Sequence, residues 1–206
     1  MHNRLPSFLA LVRSVPFILL LILTAGPQLS AQHRRGIRET SNRESRSGFW
    51  GLIGLGMGAQ AIKPDGASSF SSILYQPTAT LRVGGTVSSS LRLGVEGFAW
   101  IDAAGDRVES LASLMLMGQF YPIKSAGLFI KGGAGLGRSG IDTSDGFSAA
   151  DIGFATSLGA GAELRMGRYL YVVPSVDWVY HTYQNKDAPG YRARVVNFGV
   201  ALLFQG

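Results

Sequence analysis

Between Trp50 and Phe204 the chain alternates, at nearly every second residue, between aliphatic side chains and small or charged ones. A side-chain period of two is the mark of β-strands, whose successive residues point to opposite faces. Eight stretches carry it: 49–62, 73–87, 91–101, 111–121, 128–137, 151–164, 169–183 and 194–204. In the first, Ile53, Leu55, Met57, Ala59 and Ala61 oppose Gly54, Gly56, Gly58 and Gln60. In the third, Leu91, Leu93, Val95, Ala99 and Ile101 oppose Arg92, Gly94, Glu96, Phe98 and Trp100. The others follow the same rule, with Arg82, Lys131, Glu163 and Asp177 on the polar side of the second, fifth, sixth and seventh stretches.

Oil on one face and charge on the other suits a closed barrel in a membrane, with lipid outside and a polar lumen inside. Each stretch is long enough for a tilted crossing, which needs about 9–11 residues. The connections are read as alternating in length. Short ones fall at 88–90, 122–127 and 165–168, and long ones at 63–72, 102–110, 138–150 and 184–191, rich in Asp, Gly, Ser and Lys. Short periplasmic turns alternating with longer outer loops fit the same architecture, and an even strand count puts both ends on the periplasmic side. The pattern therefore predicts an all-β protein, an eight-stranded antiparallel up-and-down transmembrane β-barrel over residues 49–206, in a bacterial outer membrane.

The N-terminal residues change the picture only in address. Arg4 and Arg13 make a positive start ahead of an apolar run from Phe17 to Leu23, and Gly26 and Pro27 follow. A run of about seven residues fits a secretory signal core and is far short of the roughly 20 of a spanning helix. Residues 1–31 are read as a signal peptide cleaved after Ala31, with an uncleaved anchor as the alternative. Residues 32–48 hold Arg34, Arg35, Arg38, Arg43 and Arg46 against Glu39 and Glu44, without an aromatic. Such composition predicts a disordered basic tail, either a solvated linker or a contact for lipid phosphates.

The formal net charge of +6 suggests a nucleic-acid binder until its placement is considered. The excess sits on the signal and the tail, the barrel region is nearly balanced, and no basic patch with interleaved aromatics occurs. The absence of cysteine excludes a disulfide framework, a thiolate metal site and a Cys nucleophile. Gly135-Leu136-Gly137-Arg138-Ser139-Gly140 has the spacing of a dinucleotide fingerprint, but no helical periodicity follows it, so the motif lacks its context. Inward glycine rows have a geometric reading instead: they leave room for Arg, Tyr, Phe and Trp inside a barrel whose interior side chains only just fill. No cofactor, metal or catalytic residue is assigned.

Phe120-Tyr121-Pro122 followed by Gly127-Leu128-Phe129-Ile130-Lys131-Gly132-Gly133-Ala134-Gly135-Leu136-Gly137 resembles the fourth-to-fifth strand region of the small outer-membrane β-barrels, the family of opacity-type and OmpA-like porin-fold domains. The resemblance spans roughly 49–204. It implies an eight-stranded barrel inserted by the barrel-assembly machinery, and no single activity. Members commonly finish on an aromatic residue; here Phe198 and Phe204 keep the alternate spacing but Gln205 and Gly206 follow.

Six inward charges form the candidate lumen network: Arg82, Arg92, Glu96, Lys131, Glu163 and Asp177. A buried unpaired charge is costly, so they are expected to pair across the lumen, either lining an ion path or plugging the barrel; the small interior favours the plug. Glu96 with Glu163 could perform acid–base chemistry, but carboxylates among Arg and Lys are more often structural partners. His181, near Thr182, Tyr183 and Asp187, offers a base beside hydroxyls at the outer rim. Phe49, Trp50, Phe120, Tyr121, Tyr169, Trp178, Tyr180 and Tyr183 fall near strand ends and read as interfacial aromatics. Three functions follow in order: a structural, surface-contact or narrow-pore barrel without enzymatic activity, in contact with outer-membrane lipid; a lipid-modifying barrel enzyme using His181; and a secreted soluble barrel carrying an apolar ligand, which requires the opposite orientation of the two faces.

Overall fold

A computed structural model describes residues 48–123, 125–184 and 190–206. The expectations for the signal peptide and for residues 32–47 lie outside the described residues. Nine strand segments follow one another: β1 (Phe49–Pro64), β2 (Leu74–Ser88), β3 (Leu91–Ala104), β4 (Arg107–Phe120), β5 (Leu128–Thr143), β6 (Ser148–Ala162), β7 (Leu164–Arg165), β8 (Leu170–Tyr183) and β9 (Tyr191–Gln205). Every pairing is antiparallel between sequence neighbours, β1 pairs with β9, and β6 pairs with β8, which closes the sheet. The two-residue β7 keeps the β6 register against β8, with Leu164 opposite Val172. The architecture is thus a closed eight-stave, all-antiparallel barrel.

The alternation sorts side chains as the period-two pattern requires. Leu55, Leu116, Leu136 and Ile152 stand 65–74% exposed on the outer wall, while Arg82, Arg92, Glu96 and Asp177 are at most 2% exposed inside. This is the reverse of a soluble carrier, in which aliphatic rows would line a dry centre. An aliphatic exterior of this extent is stable only against hydrocarbon.

Two expectations are corrected. The connections read as long at 102–110 and 138–150 are mostly strand. Pairing runs to Ala104↔Arg107 and Arg107↔Thr143, which leaves two residues, Gly105 and Asp106, in one turn and four, 144–147, in the other. Gly105 and Gly146 supply the positive φ these turns need, at 62° and 93°. Polar residues such as Asp102, Glu109 and Asp142 suggested loops, yet above the hydrocarbon a hairpin gains the same ladder bonds with water on both faces. At the termini end, 121–127 is a seven-residue connection, so loop length does not alternate. The second correction concerns Trp50, Tyr121 and Tyr183. All are 0–1% exposed and fill the lumen, because their parity is inward. Phe49, Phe120, Tyr169 and Trp178 do stand on the outer wall, 41–65% exposed, and Tyr180, of the same parity, packs beside Trp178 with ring centroids 5.7 Å apart.

The lumen is packed in layers. Phe98, Trp100, Leu111, Met115, Val179 and Tyr183 form an apolar cluster toward the loop end. Trp50, Leu52, Met117, Tyr121, Phe129 and Leu203 form another toward the termini end. Glycine makes this filling possible by close approach: a Cβ at Gly161 would stand 2.5 Å from Phe129 Cζ, and one at Gly58 would stand 2.8 Å from Trp100 Cδ1.

Candidate functional site: the barrel lumen

Strand register carries the six inward charges to two places. Arg82 and Glu96 face each other directly across β2 and β3. Arg82 Nε donates to Glu96 Oε2 at 2.5 Å, and its Nη2 donates to Asp177 Oδ2 at 3.0 Å. From β5, Lys131 Nζ donates to Glu96 Oε1 and Oε2 at 2.7 and 2.5 Å. It also lies 3.1 Å from Asp177 Oδ1, close enough for an ion pair but off the line of a hydrogen bond. Ser175 Oγ donates to Asp177 at 3.1 Å. Two cations and two anions from four strands thus close a ring across the barrel. All four side chains are at most 3% exposed, so removing any one strands a buried charge.

The second group lies near the termini end. Arg92 Nη1 donates to Glu163 Oε1 at 2.5 Å and to the Tyr121 hydroxyl oxygen at 2.8 Å, and Nη2 donates to Gln205. The Tyr121 hydroxyl donates to Glu163, and Gln119 Nε2 donates to the Tyr121 oxygen at 2.6 Å. The guanidinium carbon stands 5.5 and 5.3 Å from the Trp50 and Tyr121 ring centroids. One Arg therefore ties β3 to Tyr121 just past β4, to the β6–β7 junction and to β9, the strand that closes the barrel. Glu96 and Glu163 belong to different groups, each with a basic partner of its own, and do not form an acid–base pair.

Sequence reasoning missed Tyr121, Gln119 and Gln205 as parts of this network. The inward parity of Gln119 and Tyr121 was visible, but Tyr121 was placed at the interface because it ends a strand. Asn197 and Thr78 were also missed; they hydrogen-bond at 2.5 Å between β9 and β2.

His181 is not at an accessible rim. It is 0% exposed, opposite Ala155 on β6 and Ala193 on β9. It stacks on Tyr183 at 5.9 Å and 15°. Neither ring nitrogen has a hydrogen-bond partner among the described residues, so no hydroxyl is poised as a nucleophile beside it. Asp187 lies outside the described residues. At the loop end, Asp145 accepts from the Thr143 hydroxyl and the Phe147 amide. Those bonds, the Thr143 one first, hold its carboxyl below the usual range. No group of three or more His, Cys, Asp or Glu able to hold a metal occurs among the described residues.

The profile of the outer membrane protein β-barrel domain family matches residues 17–204. The chain belongs to that family. Membership places this protein in the cell outer membrane and agrees with the closed eight-stave wall. No curated protein sequence matches the chain. Among solved structures, Neisserial surface protein A is similar at a TM-score of 0.56 and 13% identity, over 77% of this chain and 99% of that one. The attachment invasion locus protein Ail of Yersinia pestis gives 0.48 and 14%, over 77% and 99%. OprG from Pseudomonas aeruginosa gives 0.43 and 12%, over 80% and 99%. At such identities the first of these shares the fold alone.

Proposed function

We propose that this outer-membrane barrel is non-enzymatic and sealed, with a structural or surface-contact role rather than conduction. The observation that carries the reading is the Arg82–Glu96–Lys131–Asp177 ring, sandwiched between the two apolar layers of the lumen. Ions crossing it would have to break buried pairs and pass Trp50 and Trp100. Against an enzyme stands His181, enclosed and without a hydroxyl partner among the described residues. Contact with other molecules then falls to the wall and the connecting segments, such as 65–73 and 144–147 at the loop end. Lipid of the outer membrane is the wall's partner, and the barrel-assembly machinery its route of insertion, with the outward Phe198 and Phe204 on β9 as the segment it reads.

Planar-bilayer recording tests this. The wild-type barrel and Asp177→Ala are expected to give no steady unitary current. A reproducible wild-type conductance overturns the sealed reading and favours the narrow pore.

A further inference from the structure

The loop-end rim of the wall is not charged evenly. On β9 the outward residues Val196, Phe198, Val200, Leu202 and Phe204 are apolar. The segment 196–204 that they mark matches the roughly 9–11 residues of one tilted crossing. The next outward residues toward the loop end are Arg194 and Arg192, which therefore stand at the outer boundary of the hydrocarbon. Their parity is fixed by Ala193, which packs in the lumen, and that of Lys63 on β1 is fixed by Ile62, which packs there too.

Two register rows meet at this place. Lys63 faces Arg192, and Arg192 faces Thr182 on β8. Ala61 faces Arg194, Arg194 faces Tyr180 on β8, and Tyr180 faces Thr156 on β6. One side of the rim thus presents Lys63, Arg192 and Arg194 together with the hydroxyls of Thr182, Tyr180 and Thr156. Just below, Trp178 faces Val196.

Little counter-charge accompanies these cations. Arg194 lies over the Phe70 ring, 4.2 Å from its centroid, and its guanidinium has no hydrogen bond or ion pair among the described residues. The neighbouring Ser71 is tied to β1, its amide donating to the Ile62 carbonyl at 2.8 Å and its hydroxyl accepting from the Ile62 amide at 3.1 Å. Ala61, outward by parity, is only 2% exposed, as a residue beneath that ring and guanidinium must be. Asp65 stands 3.9 Å from Arg192 with both side chains 51% exposed, a weak surface pair. Lys63 Nζ donates to the Ser68 carbonyl at 3.3 Å. Like charges directly opposite across two strands are destabilising, so Lys63 beside Arg192 is a cost that a bridging anion removes.

We infer that this face binds the phosphorylated headgroup of an outer-leaflet glycolipid, with phosphate between Lys63, Arg192 and Arg194 and sugar hydroxyls against Thr182, Tyr180 and Thr156. Guanidinium forks suit phosphate oxygens. Trp178 and Tyr180 sit where aromatic rings mark the edge of a bilayer. A lipid is the occupant because the cations share one outward face with the apolar row of β9 beneath them, which a soluble phosphate would leave unused. The inference rests on lipid being the wall's partner and is independent of whether the lumen conducts.

Native mass spectrometry of the full chain tests it, in mild-detergent micelles doped with diphosphoryl lipid A or with the same lipid stripped of its phosphates. Wild type is expected to retain one lipid A, with about a tenfold preference for the phosphorylated form. Arg192→Gln combined with Arg194→Gln is expected to abolish the preference, and Lys63→Glu to lower it about tenfold. Arg138→Gln is the control: this outward cation on β5 faces Ala112 and Ile152 and its loss is expected to change nothing. If the Arg pair does not fold, Lys63→Glu decides. Equal retention of the two lipids by wild type, or an equal effect at Arg138, overturns the proposal. So does stronger binding of soluble dextran sulfate than of lipid A, which would assign the cluster to a polyanion in the medium. Heat-modifiable migration of wild type reports the lipid-facing wall separately. Its absence removes that reading and this one with it, whereas a folded barrel without the preference removes this one alone.

Discussion

Lys131 grips both carboxylate oxygens of Glu96, at 2.7 and 2.5 Å, from a strand two staves away. The contact spans the lumen rather than the sheet, so it fixes the barrel's cross-section as well as its register. Lys131→Met alone leaves the ring with two carboxylates and one guanidinium, a loss expected to cost about 3–5 kcal/mol. Lys131→Met with Glu96→Gln leaves Arg82 paired with Asp177. The double variant is expected to lose at least about 1 kcal/mol less than the sum of the singles. Urea unfolding of barrels refolded in lipid measures both. Additive costs would show that the ring is not a unit.

Arg92 makes a different demand. Its guanidinium serves Glu163, Tyr121 and Gln205 at once while lying against two aromatic rings. A lysine keeps the charge but not the fork. Arg92→Lys is therefore expected to destabilise by about 2 kcal/mol, the scale of a charged hydrogen bond lost on burial. In the same unfolding assay, a Lys variant equal to wild type would reduce the site to a point charge.

Two glycines separate close approach from mere composition. A Cβ at Gly135 would overlap the Leu114 carbonyl oxygen and stand 2.7 Å from Met115 Cα, while one at Gly85 meets nothing within 4 Å. Backbone cannot swing aside as a side chain can. Gly135→Ala is expected to cost about 3 kcal/mol through overpacking, visible as a smaller heat-modifiable folded fraction. Gly85→Ala is expected to stay within about 0.5 kcal/mol of wild type.

His181 supplies a test with the opposite sign. Both nitrogens are enclosed without hydrogen-bond partners among the described residues. Unsatisfied buried polar atoms are costly, so His181→Leu, similar in volume and fully apolar, is expected to be neutral or to stabilise by about 1 kcal/mol. The lipid profile of cells carrying it is expected to match wild type. An altered profile would return the histidine to chemistry.

The period-two pattern made the barrel legible because it records two solvents. Each outward residue meets hydrocarbon and each inward one meets the lumen, so parity alone sorted Leu55 from Gly56 and Val95 from Glu96. It also put all six buried charges on the inner face. Strand ends were less legible: Asp102 and Ser110 look like loop residues, yet they sit in ladder pairs above the hydrocarbon, where polarity no longer distinguishes strand from turn. Trp50 and Tyr183 were misplaced for a related reason, since an aromatic at a strand end suits both an interface and a lumen, and only its parity decides.

What the residues determined alone was the wall: strand number, handing of faces, membrane address and the family that goes with them. Which charges meet depended on shear and closure. Lys131 reaches Glu96, and Arg92 reaches Glu163 and Gln205, across 35, 71 and 113 residues of chain. Local periodicity holds no information about the angle around a cylinder, so those partnerships and the two-layer plug exist only once the first strand has met the last.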